Sequence, residues 1–341
     1  MARTLIDGLW FFGGNRDRGI GAYLDYYFRE VCEIPVQDRY WLVPQNAADW
    51  QVNKLLGKFG GHSIELDTEM SGQRQRELLD RWVDEKEVIS VFVSSPFERP
   101  RSLLDFVTLF QSKAMTVEAI VFDLLPLQFR REILETWPEE DQEQYERRLK
   151  RLRRVDRLHA ISPQTRQAVV GLLDYPEDQI QVLKFGLGTK WITVPAAVAK
   201  TQRSPSKLTK VVTISGGEWR KNLEGTLRYF AQEWGGKPAE LSVICELGMK
   251  HLVKLFLLCV RLGIWRQVKF LGKASENTKW RQLLQADVFL FLSRAEGLGI
   301  PLLEAKKAKV SRIILSQELV AASFGELVEN FETATILSKK E

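Results

Sequence analysis

The chain has 341 residues, enough for two domains of ordinary size whose cores need no metal or disulfide to hold them. Hydrophobic residues make up 45 % and charged residues 27 %, a balance that excludes a disordered chain, a collagen-like chain and a multi-span membrane protein. Lysine and arginine exceed aspartate and glutamate by 49 − 44 = +5, too small an excess to indicate nucleic acid by itself.

Short apolar runs alternate with helical spacing from one end to the other. Strands are expected at Leu5–Phe12, Arg39–Pro44, Glu87–Ser94, Val117–Asp123 and Arg157–Ser162, with helices at Ala22–Cys32, Gly72–Asp84, Leu103–Gln111, Phe129–Arg154 and Pro163–Leu173. The pattern stops over residues 193–208, TVPAAVAKTQRSPSKL, which reads as a linker. It then restarts with strands at Lys210–Ser215, Leu241–Glu246, Val268–Leu271, Val288–Ser293 and Arg312–Ser316. Helices are expected between them at Leu223–Trp234, Met249–Leu262, Thr278–Leu284 and Pro301–Ala308. Such alternation implies parallel pairing, because a parallel connection needs a long crossover. Two doubly wound α/β domains are expected, residues 1–192 and 209–341, with ligands at the carboxyl ends of the strands, in the cleft between the domains.

Cys32, Cys245 and Cys259 lie far apart with no C-x-x-C spacing, and read as buried free thiols of a reducing compartment. With only His62, His159 and His251 beside them, no zinc site and no bound metal are expected. The first residues read as no signal peptide, since Asp7 interrupts the apolar run and no small-residue cleavage pattern follows. The apolar stretch from His251 to Trp265 is broken by Lys254 and Arg261 and is too short to span a bilayer. A cytoplasmic location is expected.

Three stretches carry chemistry. In Val288–Ala305, VFLFLSRAEGLGIPLLEA, an apolar strand runs into a loop with Glu296, Gly297 and Gly299, and Pro301 then opens a helix with Glu304 about one turn in. That arrangement aims backbone N–H groups and a helix dipole at one point, which suits a phosphate. The two carboxylates would repel phosphate and fit better as acceptors for sugar hydroxyls, against the plainer roles of turn cap and helix-start acid. In Val211–Gly225, VVTISGGEWRKNLEG, a strand ends at Gly216–Gly217, with Arg220 and Lys221 just before a helix. Two adjacent cations there suit a diphosphate. In Gly13–Tyr23, GGNRDRGIGAY, four glycines separate the first strand from the first helix without the G-x-G-x-x-G spacing, so a dinucleotide-binding oxidoreductase fits poorly.

These residues resemble a known family. EGLGIPLLEA looks like the E-x7-E signature of retaining nucleotide-sugar glycosyltransferases of family 4, SGGEWRKNL like their phosphate segment, and RGIGAY like their N-terminal glycine loop. VFDLLPLQF and HAISPQTRQAV match further segments in order. The resemblance implies a GT-B fold, two facing Rossmann-like domains with a cleft between them. It also implies transfer of a sugar from a nucleotide-diphospho-sugar donor to a glycan or lipid-linked glycan, as in surface-polysaccharide synthesis. Arg220 and Lys221 would then hold the diphosphate, Glu304 the ribose hydroxyls and Glu296 the transferred sugar. The backbone of Gly297, Leu298, Gly299 and Ile300 would contact sugar and phosphate, Gly217 would line the phosphate segment, and Gly21 would let its loop close on the donor. No cofactor and no divalent metal are implied.

Two departures stand out. Phe122-Asp123 occupies the place of the family's His-Asp, and beyond the signature the chain reads KKAKVSRIIL and stops at Glu341, where one or two further helices would be expected. These departures favour a rival reading, a non-catalytic nucleotide-sugar-binding partner of an active transferase. Another rival is sugar-nucleotide epimerisation on the same fold. Separately, Tyr145–Arg157 places Tyr145, Leu149 and Leu152 on one helical face, with six arginines and Lys150 around it. That pattern reads as a docked, solvated helix, or alternatively as peripheral contact of Arg147–Arg157 with an anionic membrane. Aromatic interleaving for nucleic-acid bases is absent.

Overall fold

The fold is that of a computed structural model, which describes every residue except 1–2, 14–18, 68, 98–101, 184–188, 191, 202, 204–206, 329 and 335–341. The chain divides into two compact units, Met1–Gly186 and Leu187–Glu341. The whole of the expected linker falls in the second unit, where Val198 is buried; positions 202 and 204–206 of it lie outside the described residues.

The first unit runs β1 (Arg3–Asp7), α1 (Gly19–Tyr26), β2 (Arg39–Pro44), α2 (Asp49–Phe59), β3 (His62–Leu66), α3 (Gly72–Glu85), β4 (Val88–Val93), α4 (Val107–Ser112), β5 (Thr116–Val121), α5 (Leu125–Gln128), α6 (Glu139–Leu152), β6 (Arg157–Ala160), α7 (Pro163–Leu173) and β7 (Ile180–Val182). The described strands form a parallel sheet in the order β3-β2-β1-β4-β5-β6-β7. Its core gathers Leu5, Val91, Val117, Val121 and Leu158 from the strands with Leu79, Phe110 and Leu149 from the helices.

Differences from the expected elements have local causes. The first strand stops at Asp7 rather than Phe12, because the buried Asp7 carboxylate accepts from the backbone of Leu9 (3.2 Å) and Leu103 (3.1 Å) and so turns the chain. The expected helix Phe129–Arg154 is interrupted, and its long part starts only at Glu139, after Pro138; proline lacks an N–H and biases its predecessor away from helix. Beyond Tyr26 the first helix continues as a π-helical turn, Tyr27–Val31. The edge strands β3 and β7 and the helix α2 went unanticipated. Only Leu55 and Phe59 of α2 are buried, so its periodicity is faint.

The second unit runs β8 (Thr209–Ile214), α8 (Leu223–Trp234), β9 (Ala239–Ile244), α9 (Met249–Arg261), β10 (Val268–Phe270), α10 (Glu276–Gln285), β11 (Val288–Phe291), α11 (Ile300–Lys307), β12 (Arg312–Leu315), α12 (Gln317–Ala321) and β13 (Glu332–Thr333). Its sheet is parallel in the order β10-β9-β8-β11-β12-β13. The first strand of the unit therefore lies at the centre beside its fourth. Connections leave in opposite directions from that point, which opens a crevice at the carboxyl ends of β8 and β11. The central strand β11 is buried throughout, Val288 to Phe291 without exception, as a strand covered on both faces must be.

Candidate functional site

The carboxyl ends of β8 and β11 bring together residues about 75 positions apart in sequence. After β8 the chain passes Gly216–Gly217 and makes a single 3-10 turn, Trp219–Lys221. Asn222 then takes a left-handed conformation, φ 48° and ψ 44°, before α8. Its side-chain amide donates to the Leu292 carbonyl at 3.0 Å, and the Arg294 N–H donates to the Arg220 carbonyl at 2.7 Å. These bonds fasten the turn after β8 to the loop after β11.

Across that junction lies a charged cluster. Arg220 Nη1 donates to Glu296 Oε2 at 2.9 Å, and Lys221 Nζ donates to Glu296 Oε1 at 2.7 Å and Oε2 at 3.0 Å. Arg220 Nε also pairs with Glu218 Oε2 at 2.7 Å. The Glu296 side chain is 6 % exposed. Burial pushes its carboxyl up, but the Lys221 and Arg220 charges and the Lys221 and Ser293 hydrogen bonds outweigh that and leave it below the ordinary carboxylate value.

A second carboxylate sits one turn into α11. Glu304 is buried, and Lys279 of α10 donates to its Oε1 at 2.6 Å while also pairing with Glu276 at 2.8 Å. Here burial wins: it holds the Glu304 carboxyl above the ordinary value, which Lys279 only partly offsets. Burial also disfavours the Lys279 ammonium, yet Glu304 and Glu276 together keep its pKa above that of a free lysine.

Glycines shape the space around both groups. Gly299 caps α11 at φ +71°, and a Cβ there would meet the Phe324 ring at 3.0 Å. At Gly217 a Cβ would approach His251 Nδ1 and Leu247 Cδ2 to 3.3 Å. Pro301 stands in the first turn of α11, as expected. Leu298 is buried, while Gly297 and Ile300 are half-buried. The stretch Gly297–Ile300 lies between the two carboxylates along the chain.

Of the residues singled out by sequence, Arg220, Lys221, Gly217, Glu296, Gly297, Leu298, Gly299, Ile300 and Glu304 all fall in this part of the second unit. Gly21 is buried in α1 of the first unit, and the loop residues 14–18 lie outside the described residues. Phe122 packs edge-on against Tyr23 of α1, with ring centroids 5.6 Å apart, and its carbonyl accepts from Thr165 Oγ1 at 3.0 Å. Sequence reasoning missed Asn222 as the clasp and Lys279 as the partner of Glu304. The left-handed tendency of asparagine before a helix was a usable sign for the first. Nothing in the sequence marks Lys279 out from Arg281, the other cation of its helix. In α6, Tyr145, Leu149 and Leu152 are buried as expected, but Arg148 is buried too, paired with Asp105 at 2.9 Å. Cys245 and Cys259 are buried free thiols, each pushed up to about 11 by burial, whereas Cys32 is half-buried. Among the described residues no group of three histidine, cysteine or acidic side chains is placed to hold a metal ion.

Comparisons with known proteins bear on the family and the fold. Residues 197–340, less than half of the chain but spanning the whole cluster, match the family described as Glycosyl transferases group 1. No curated protein matches the sequence significantly. Among solved structures, Anabaena HepE in complex with UDP and glucose is similar at TM-score 0.66 and 14 % identity, covering 98 % of this chain and 86 % of that one. The lipopolysaccharide outer core galactosyltransferase WaaB is similar at TM-score 0.61 and 14 % identity, over 93 % of this chain and 80 % of that one. Sucrose-phosphate synthase from Thermosynechococcus elongatus is similar at TM-score 0.61 and 14 % identity, over 99 % and 87 %. At such identities the likeness shows the fold: two parallel-sheet α/β domains of the GT-B type.

Proposed function

We propose that the chain is a glycosyltransferase that moves a sugar from a nucleotide-diphospho-sugar to a glycan or lipid-linked glycan, with retention of configuration at the transferred carbon. The observation that carries this reading is the convergence of Arg220, Lys221 and Glu296 at the carboxyl ends of β8 and β11, beside the buried Glu304 at the start of α11. The partial match to Glycosyl transferases group 1 covers those residues, and one structural neighbour holds UDP and glucose.

In the proposed complex Arg220 and Lys221 turn from Glu296 toward the diphosphate. They neutralise charge on the departing nucleotide, a role in which fixed cations replace a divalent ion. Glu296, turned from the cations, accepts hydroxyls of the sugar. Glu304 and Lys279 bind the ribose, the carboxylate accepting and the ammonium fixing its position. The N–H groups opening α11 face the phosphate. The leaving phosphate takes the acceptor's proton as the new bond forms on the face the nucleotide leaves. No cofactor enters this scheme, and Gly21 is assigned to the donor side of the first unit.

The test is calorimetric titration of UDP, GDP, dTDP and CMP into the wild type, Glu304→Ala and the double variant Arg220→Ala/Lys221→Ala, followed by transfer assays with sugars of the base that binds. One nucleoside diphosphate should bind, and binding should weaken at least tenfold in both variants, the equivalent of about 1.4 kcal/mol. Absence of binding by all four overturns the reading. Binding without turnover of any donor instead supports the non-catalytic partner, a reading favoured by Phe122, whose ring is packed on Tyr23 and offers no hydrogen bond.

A further inference from the structure

Helix α9 has two apolar faces, and the fold uses only one. Leu255, Leu258 and Cys259 turn into the core of the second unit. Met249, Val253, Phe256 and Val260, spaced four, three and four apart, form a separate stripe that is exposed, with Leu257 beside it at 58 %. Trp265, just past the helix, continues that surface at 46 % exposure, with the Arg266 guanidinium 4.7 Å from its ring. Scattered exposed apolar residues need no explanation, but a contiguous stripe on one helix does.

The charges around the stripe say what covers it. From Lys250 to Ser275 the chain carries Lys250, Lys254, Arg261, Arg266, Lys269 and Lys273 and not one aspartate or glutamate. All six cations are exposed. On the helix, Lys250, Lys254 and Arg261 line one flank of the stripe, between it and the buried face. Acid partners come only from neighbouring segments: Glu224 of α8 meets Lys254 at 2.6 Å, Glu240 of β9 meets Lys269 at 2.6 Å, and Glu246 lies 3.9 Å from Lys273. An apolar stripe flanked by lysine and arginine, with a tryptophan at its end, matches the boundary between acyl chains and anionic headgroups. A protein partner would be expected to meet the stripe with apolar residues and the cations with a matching acidic row. A lipid surface offers both at once, over any length. Lys250, Lys254 and Arg261 along the helix, with Arg266 on Trp265, also suit a diffuse anionic plane better than a discrete ligand.

We infer that α9, with Trp265, is a docking face for an anionic lipid bilayer, lying in the headgroup plane rather than crossing it. No described helix is long and apolar enough to cross. The opening turn of α9 adjoins the candidate site, since His251 lies against Gly217, so the face would hold that site close to the lipid surface. Arg147–Arg157, the other basic stretch, has no exposed apolar stripe to insert, because Tyr145, Leu149 and Leu152 face the core.

Co-sedimentation of the full chain with vesicles decides the matter. The wild type should bind phosphatidylglycerol/phosphatidylethanolamine vesicles and not phosphatidylcholine vesicles, more weakly as salt rises. Phe256→Ser/Leu257→Ser should lose binding. Lys250→Ala and Arg266→Ala should each weaken it about fivefold. Arg147→Ala/Arg154→Ala should leave it unchanged. All these side chains are exposed, so unfolding temperatures should match the wild type, and a variant that fails to fold is replaced by Val260→Ser/Trp265→Ser. The inference is overturned if the wild type ignores anionic vesicles, if binding survives loss of the stripe, or if the stripe variants instead dissolve a dimer seen by sedimentation velocity. None of these outcomes depends on nucleotide binding, so failure here and failure of the transferase reading are distinguishable.

Discussion

Glu296 and Glu304 stand eight positions apart and answer to opposite forces. Glu296 is held below the ordinary carboxylate value of 4.5 by two cations, and Glu304 is held above it by burial. A carboxyl with a lowered native pKa binds fewer protons folded than unfolded. Its contribution to stability is therefore complete above the unfolded pKa and is lost as pH falls through the native one. A carboxyl with a raised native pKa does the reverse, and costs stability as pH rises above the unfolded value. Glu296→Gln should therefore flatten the acid limb of a stability-versus-pH curve below about pH 4.5, whereas Glu304→Gln should remove a decline above it. Urea midpoints at half-unit steps from pH 3 to 8 would show the two variants departing from the wild type in opposite directions. The same sign for both would refute the assignment. Sequence made all four charged residues visible, but not their partnership. Arg220 and Lys221 read as partners for phosphate, and in the fold they are held by Glu296. Lys279 stayed hidden because a lysine on a polar helix resembles a surface charge until tertiary packing buries it.

Among the elements, those from β8 to β12 were legible to within two residues, with α8 matching at both ends, whereas α12 and β13 were not anticipated. Central parallel strands are apolar on both faces and stand out against polar helices. What escaped were the sheet margins: β3 alternates weakly, and β7 and β13 have three and two residues. A short half-exposed strand is set by its neighbour more than by its own residues. The opening of α11 makes a sharper test. Gly299 needs both its positive φ and its lack of a Cβ, since Phe324 stands 3.0 Å from where one would be. Gly299→Ala should cost about 1–2 kcal/mol in stability and, on the proposed transferase reading, weaken nucleotide binding by shifting the N–H groups that open α11. Pairing it with Phe324→Leu should recover part of the contact term but not the conformational term. Full recovery would mean that φ is not the constraint.

At the scale of the whole molecule, two units each carry a separate core. The charged cluster lies wholly in the second. On the proposed transferase reading, nucleotide should therefore stabilise that unit first. At a ligand concentration of 100 times Kd the gain is about 2.7 kcal/mol, which corresponds to roughly 5–10 °C for a unit of this size. Scanning calorimetry with and without the nucleotide that binds should show this shift in the transition sensitive to Leu290→Ala, in the second core, and a smaller one in the transition sensitive to Val91→Ala, in the first. A larger shift in the first transition would place the nucleotide elsewhere.

The separation between Lys221 and Glu296 has a consequence for how the protein is made. The two cations leave the ribosome 75 residues ahead of their carboxylate, which at ordinary elongation speed is about 4–15 s. During that interval β8 has no β11 to pair with, and Asn222 has no Leu292 carbonyl to grip. The nascent chain thus carries an arginine and a lysine unanswered by their acid while β9 and β10 assemble on one side only. The charged cluster is completed late and all at once, when the fourth strand of the unit slots in beside the first.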